Sequence, residues 1–243
     1  MIEDMHPRWE VEYYIVKKAS LSNTNKEQWV YDTTEKVLKM VHGSKMTPGD
    51  WKKEYQRGTA HWAEELDPSL YSQEFVDWIK GDKYSNILEI GCGNGRDSIY
   101  FARAGYQVTA VDVVPEAISL ARTNISEAKV QVKTEVANVE KLPFEDESFD
   151  AIFCLSVLHS TNLSKSLTEI YRVLRPKCKA FIHIYANTIL ANGRIETNVT
   201  VNDFIELLKL AGFSIDTFYS EEEEEADERG ERHLICVTQV RKS

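Results

Sequence analysis

From residue 86 onward, short apolar runs alternate with amphipathic stretches, and that alternation admits few folds. Ile87–Ile90, Gln107–Val111, Val130–Val136, Phe149–Leu155 and Ala180–Tyr185 read as successive strands with helical patterns between them. The middle strands are almost wholly apolar. Such strands cannot face water on either side, so the sheet must be mostly parallel and covered by helices on both faces. The expected fold is a doubly wound, mostly parallel α/β domain.

Local signals mark the helices. One is expected from the turn after strand one to Ala104, with Gly105 stopping it; Pro115 stands where a first helical residue is favoured, ahead of a helix burying Ile118, Ala121 and Ile125. Leu167, Ile170, Tyr171 and Leu174 mark a further helix that Pro176 should terminate. Thr200 and Asp203 form a capping-box-like start to the last helix, and Gly212 ends it. Phe213–Tyr219 and His233–Val240 then follow with no helix between, which predicts a hairpin-type pair at one edge. The segment joining them, residues 221–231, is a run of acids and reads as a solvated loop.

Residues 1–68 follow no such alternation and read as an extension to a domain at 69–243. Lys26–His42 carries one helical stripe, and residues 46–66 are dense in aromatics with Pro48, Gly49 and Gly58. That segment either packs on the outside of the core or closes over a ligand as a lid. Ser72 is the expected cap of a helix through Lys80 that buries Phe75, Val76 and Ile79.

Composition narrows the class of function. Among 243 residues the formal net charge is −10, which disfavours a nucleic-acid phosphate backbone as partner. The four cysteines, 92, 154, 178 and 236, are far apart without a C-x-x-C pair, suiting a reducing compartment and offering no zinc pattern. Neither a signal peptide nor a membrane-spanning run is readable, so a cytoplasmic protein is expected.

The most informative stretch is Leu88-Glu89-Ile90-Gly91-Cys92-Gly93-Asn94-Gly95, an apolar strand running into alternate glycines. Backbone can approach a ligand closely there, and the N–H groups of the following helix face it. The spacing is neither G-x-G-x-x-G nor a P-loop, which weakens dinucleotide binding and excludes a phosphate grip of that kind. Asp112 closes strand two, where one carboxylate can accept from both hydroxyls of a ribose.

With Val-Thr-Ala-Val-Asp at 108–112, Lys-Leu-Pro-Phe-Glu-Asp-Glu-Ser-Phe-Asp at 141–150 and Ile-Tyr-Arg-Val-Leu-Arg-Pro at 170–176, the turn resembles the ordered signatures of class I S-adenosylmethionine-dependent methyltransferases. The likeness covers roughly residues 70–240, and Gly-Asn-Gly-Arg-Asp-Ser is also similar to the thiopurine and tellurite methyltransferase branch. It implies a seven-stranded sheet with the last strand antiparallel and inserted beside its neighbours. It further implies S-adenosylmethionine as cofactor and S-adenosylhomocysteine as product. By resemblance, Gly91, Cys92, Gly93, Asn94 and Gly95 surround the methionine portion, with Glu89 in support. Asp112 takes the ribose hydroxyls and Val113 packs on adenine. Asn138 and Val139 meet the adenine edge, where asparagine replaces the common acid; Cys154 and Leu155 line the floor. Lys177 and Cys178 replace two customary glycines, so that turn should be looser.

The acceptor is less legible. A sulfonium already activates the methyl group, so alignment matters most and a base is needed only for a proton-bearing acceptor. Tyr55, His61 and His159 are the candidate bases; Trp51, Tyr55 and Trp62 are the candidate acceptor-pocket residues, with residues 185–199 also shaping the choice. The aromatics and the acidic balance favour a small apolar or cationic acceptor. A protein side chain as acceptor, a non-catalytic cofactor-binding regulator and a nicotinamide oxidoreductase stand as alternatives. No metal site is expected, and the oligomeric state is not legible.

Overall fold

A computed structural model describes residues 46–57, 63–189, 195–223 and 232–242. Their elements run in the order α1 (Pro48–Arg57), α2 (Leu70–Ile79), β1 (Asn86–Ile90), α3 (Arg96–Arg103), β2 (Gln107–Asp112), α4 (Pro115–Glu127), β3 (Val132–Val136) and β4 (Phe149–Leu155). There follow α5 (Leu163–Val173), β5 (Leu174–Ile189), β6 (Ile195–Thr197), α6 (Val201–Leu210), β7 (Phe213–Glu222) and β8 (Arg232–Lys242). The strands lie in the order β3-β2-β1-β4-β5-β8-β7, and the short β6 pairs with β5 beyond that path. The first five strands of that order are parallel; β8 runs antiparallel to both β5 and β7. The fold is therefore the mostly parallel, doubly wound sheet that the sequence implies. The terminal pair forms as expected, with β8 inserted between β5 and the edge strand β7.

Side-chain alternation along the strands explains the two layers. Ile87, Val108, Ala151, Phe153, Phe181 and Val237 face α2 and α3, meeting Phe75, Ile79 and Phe101. Phe153 stacks on Phe181 at 5.3 Å, and Phe101 meets Phe153 edge-on at 5.1 Å, arrangements that suit ring quadrupoles. The alternate residues Leu88, Ile90, Val111, Ile152, Cys154 and Ile182 face the other way, toward Leu167 and Ile170 of α5 and Phe204 and Leu208 of α6. Ala110 with Ile118, Ala121 and Ile125 of α4 closes a third cluster under the glycine turn.

Several boundaries differ from expectation for identifiable reasons. Ser69 caps α2, its side chain accepting from Ser72 N–H, while Ser72 lies buried inside the first turn. α5 ends at Val173, and β5 begins at once with Leu174, before Pro176. The pairing with β4 breaks between Phe149 and Ala151, and Lys177 takes up the slack with φ of +65°, a conformation glycine adopts more easily. The third strand starts two residues late, at Val132. Thr200 does cap α6, accepting from Asp203 N–H at 3.1 Å. The predicted helix at 26–42 and most of the acidic loop lie outside the described residues, while α1 belongs to the compact unit Met46–Ser243.

Asp150 clamps the entry of β1 to β4. Its Oδ2 accepts from the backbone N–H groups of Ser85 and Asn86, each at 2.9 Å, and its other oxygen accepts from Arg175. Although burial pushes the carboxyl up, the Asn86 and Ser85 bonds and Arg175 outweigh it and hold the group below its ordinary value of 3.8. A depressed native value means that the ionised clamp stabilises the fold fully above pH 3.8 and that this contribution fades as pH falls below it. Asp150→Asn should therefore lower denaturant stability at pH 7 by about 1–3 kcal/mol. The gap between variant and wild type should narrow under acid, as urea melts at pH 7 and pH 3 would show.

Candidate functional site

The carboxyl ends of β1 and β2 make one bonded unit. Val111 C=O accepts from both Gly91 N–H at 2.7 Å and Cys92 N–H at 3.0 Å, which folds the glycine turn back over β2. Asp112 then braces it, with Oδ2 accepting from Gly93 N–H at 3.1 Å and Oδ1 from Val114 N–H at 2.9 Å. Its own carbonyl accepts from Ala137 N–H at 2.9 Å, so the loop after β3 joins the same point.

Steric demand explains two of the glycines. Gly91 has φ of +74°, and a Cβ there would lie 2.1 Å from Cγ2 of Val157; Gly95, at +83°, lies against Ala121 of α4. The turn is thus pressed between the segment after β4 and the side of α4. Cys92 is buried in the α3–α4 cluster, where its thiol is pushed well up by burial and the charges of Glu89 and Asp112. Cys154 is likewise wholly buried and its thiol raised by burial, which leaves it a packing residue and no nucleophile.

Three carboxyl groups ring the turn. Glu89 projects from β1 beneath it and accepts from the Ser98 hydroxyl; burial, then the charge of Asp97, pushes it well above the ordinary carboxylate range. Burial also raises Asp97 and Asp112 against the hydrogen bonds that pull them down. Each carboxyl thus lies in an environment where a positively charged ligand would favour its ionised form. Unshared lone pairs on Asp112 suit neighbouring hydroxyls on the same ligand.

Residues just after the turn fasten the approach to α2. Asn94 donates from Nδ2 to Ala63 C=O at 3.1 Å and to Glu65 C=O at 2.6 Å, while Arg96 pairs with Glu65 at 2.6 Å. Asp97 accepts from Ser69 N–H at 2.7 Å and from its hydroxyl at 3.0 Å. This latch was missed from sequence, although Asn94, Arg96 and Asp97 all sit inside the Gly-Asn-Gly-Arg-Asp-Ser signature.

The remaining expected residues fall on several sides. Val113 is half-buried at the start of the turn into α4, and Val139 is buried. Exposed Asn138 uses its side-chain carbonyl to accept from Glu140 N–H at 2.9 Å, which leaves one lone pair of that oxygen. Leu155 is half-buried at the end of β4. Trp51 and Tyr55 lie on α1, which reaches the start of α4 through Gln56 and Lys52 to Glu116, at 2.8 and 3.4 Å. His159 is half-buried in the short turn Leu158–Ser160, its ring 4.8 Å from that of Tyr185. His61 and Trp62 lie outside the described residues. Ser156, with φ of +55°, and His183 were missed; the Ser156 hydroxyl bonds His183 Nδ1 at 3.0 Å.

Residues 88–182 match a family model described as a methyltransferase domain, a span that runs from β1 into β5 and includes the turn and Asp112. That span is a methyltransferase domain, and the sheet order around it is the Rossmann-like fold of the S-adenosylmethionine-dependent methyltransferases, the family in which S-adenosylmethionine is the cofactor. Its relatives include the ubiquinone biosynthesis O-methyltransferase of Xanthomonas oryzae pv. oryzae, 39% identical over 100 residues, covering 40% of this chain and 42% of that protein. The chain thus spans about two-fifths of the length of those curated relatives. An uncharacterized protein of Haemophilus influenzae is 35% identical over 168 residues, covering 60% of this chain and 67% of that one. Among solved structures, a SAM-dependent methyltransferase of Methanosarcina mazei superposes with a TM-score of 0.60 at 25% identity, over 73% of this chain and 99% of that one. The Burkholderia thailandensis 1,6-didemethyltoxoflavin-N1-methyltransferase, with bound 1,6-didemethyltoxoflavin and S-adenosylhomocysteine, gives 0.62 at 22%, over 81% and 87%. Among the described residues no helix is long and apolar enough to cross a membrane, and no cluster of ligating side chains could hold a metal ion.

The tight approach of Val157 to Gly91 gives a direct test. Gly91→Ala should destabilise the fold by about 1–3 kcal/mol through backbone strain and overpacking. Adding Val157→Ala should recover part of that loss, because it removes the clashing methyl but not the strain. Denaturant melts of the three variants would show whether the two effects couple as stated.

Proposed function

We propose that the protein transfers the methyl group of S-adenosylmethionine to a small-molecule acceptor by direct in-line displacement. The observation that carries this reading is the bracket of Asp112 on Gly93 and Val114, which holds the glycine turn open toward the carboxyl edge with three raised carboxyls around it. These residues fit the cofactor: its sulfonium and ammonium charges suit the carboxyls, and its ribose hydroxyls suit Asp112.

When bound, the cofactor supplies a methyl group already activated by positive sulfur. What the chain contributes is alignment and exclusion of water. In this reading Gly91, Cys92, Gly93, Asn94 and Gly95 offer backbone to the methionine portion, with Glu89 supporting the turn from below. Asp112 accepts from the ribose hydroxyls, Val113 packs on the adenine, and Asn138 with Val139 borders its edge. Leu155 forms the floor, with Cys154 packed beneath it. The latch of Asn94, Arg96 and Asp97 keeps residues 63–69 beside the turn, which shields one side from water.

A small acceptor is favoured by the company the chain keeps and by its charge. Its relatives carry names for O-methyl transfer in ubiquinone biosynthesis, and a structural neighbour holds a small ring compound. The net charge of −10 speaks against a phosphate backbone as partner.

Calorimetric titration of S-adenosylhomocysteine into the wild type and Asp112→Ala tests the core of this reading. The variant should bind more weakly by about 1.5–3 kcal/mol, having lost two charge-assisted bonds. Equal affinity would refute the ribose role of Asp112, and no binding by the wild type would sink the proposal. A labelled-methyl screen over small thiols, amines, phenols and carboxylic acids, alongside a cell-extract proteome, would then find the acceptor class.

A further inference from the structure

The parallel strands end level, but the antiparallel pair does not. β4 stops at Leu155, which lies opposite His183, whereas β5 and β8 remain paired as far as Ile189 and Arg232. The pair therefore rises past the carboxyl edge as a wall. On the face shared with α2 it carries His183 and Tyr185 from β5 and His233 from β8. Tyr185 stacks on His233 at 4.1 Å with 24° between the rings, and His159 lies against Tyr185 from the turn after β4.

His233 has a fixed orientation. Its Nδ1 lies 2.8 Å from Oε2 of Glu223, and its backbone N–H donates to that same oxygen at 3.0 Å. An ionised carboxylate can only accept, so Nδ1 carries a proton, and in the neutral ring the lone pair is on Nε2. This is the geometry in which a carboxylate sets an imidazole to receive a proton.

The segment between β4 and α5 ties this wall to the cofactor turn. Val157 packs onto Gly91, Ser156 bonds His183, and His159 follows two residues later. Methyl donor and wall are thus joined through four consecutive residues.

We propose that this wall is the acceptor subsite, that it takes a planar acceptor bearing an ionisable hydroxyl, and that His233 is the base, with Glu223 its positioning residue. The inference rests on the methyl-transfer reading above. The acceptor ring lies against this aromatic wall with its hydroxyl at Nε2 of His233. As the acceptor oxygen forms its bond to the methyl carbon, the carbon–sulfur bond breaks and its electron pair stays on sulfur. The acceptor's hydroxyl proton passes to Nε2 of His233, which later releases it to water.

The groups around His233 have separable roles. His183, pushed down to about 4 by burial, stays neutral and holds Ser156. Tyr71, its ring 4.8 Å from His183, is raised to about 12 by burial and by its neighbours Glu221, Tyr185 and Glu223, so it remains a proton donor. Arg232 is engaged with Glu222 at 2.8 Å.

Catechol, a planar ring with ionisable hydroxyls, is the probe. Calorimetry should show it binding to the protein loaded with S-adenosylhomocysteine, about tenfold more weakly in Tyr185→Leu. Labelled methyl transfer to catechol should fall about a hundredfold in His233→Gln and about tenfold in Glu223→Gln, with S-adenosylhomocysteine affinity held within threefold. Wild-type kcat/KM should decline on the acid side through a single ionisation, and His233→Gln should lose that limb. Transfer surviving within threefold in His233→Gln would overturn the base. Intact S-adenosylhomocysteine binding without catechol binding or transfer would overturn the subsite, as would methylation of benzylamine in place of catechol. Failure to bind S-adenosylhomocysteine would instead refute the methyl-transfer reading beneath it.

Discussion

Much of the molecule hangs on the last residue of β2. Asp112 receives the glycine turn on one carboxylate oxygen, the start of α4 on the other, and the loop after β3 on its carbonyl. Three loops that would otherwise move independently are thereby fixed at the place where a parallel sheet leaves its strand ends open. Folding keeps this carboxyl desolvated at a cost, and backbone N–H groups offset part of it. The carboxyl edge is consequently ordered by the chain's own bonds.

The glycine turn works only because the surfaces around it are equally constrained. Val157 occupies the space a side chain at 91 would need, and Ala121 does the same at 95. A small residue in the turn and a branched one after β4 form one packed contact. Beneath, Glu89 and Ser98 join β1 to α3, so a change in the turn is transmitted into the core.

The strands were legible because periodicity and burial agree there; β4 is buried over six of its seven residues and could be nothing else. The glycine turn was legible for a related reason, since positive φ and the close approach of Val157 and Ala121 demand glycine. Boundaries set by side-chain choice were harder. Ser69 and Ser72 both look like caps, and only the bond of Ser69 to Asp97 decides between them. Lys177 adopts a backbone conformation for which its type gives no signal. The Tyr185, His233 and Glu223 group was invisible because Tyr185 meets the other two only through strand pairing, across dozens of residues of sequence, while His61 and Trp62 fall outside the described residues.

The placement of β8 between β5 and β7 has a consequence for how the chain folds. β7 touches the sheet only through a strand that follows it, so its ten residues remain an unpaired edge until Arg232–Lys242 has docked on β5. The cofactor half, with its short-range β–α–β contacts, can assemble early; the other half must wait for a long-range insertion. During that interval Phe213, Ile215 and Phe218 stand uncovered, which makes the interval the period when this chain is most open to pairing with another copy of itself.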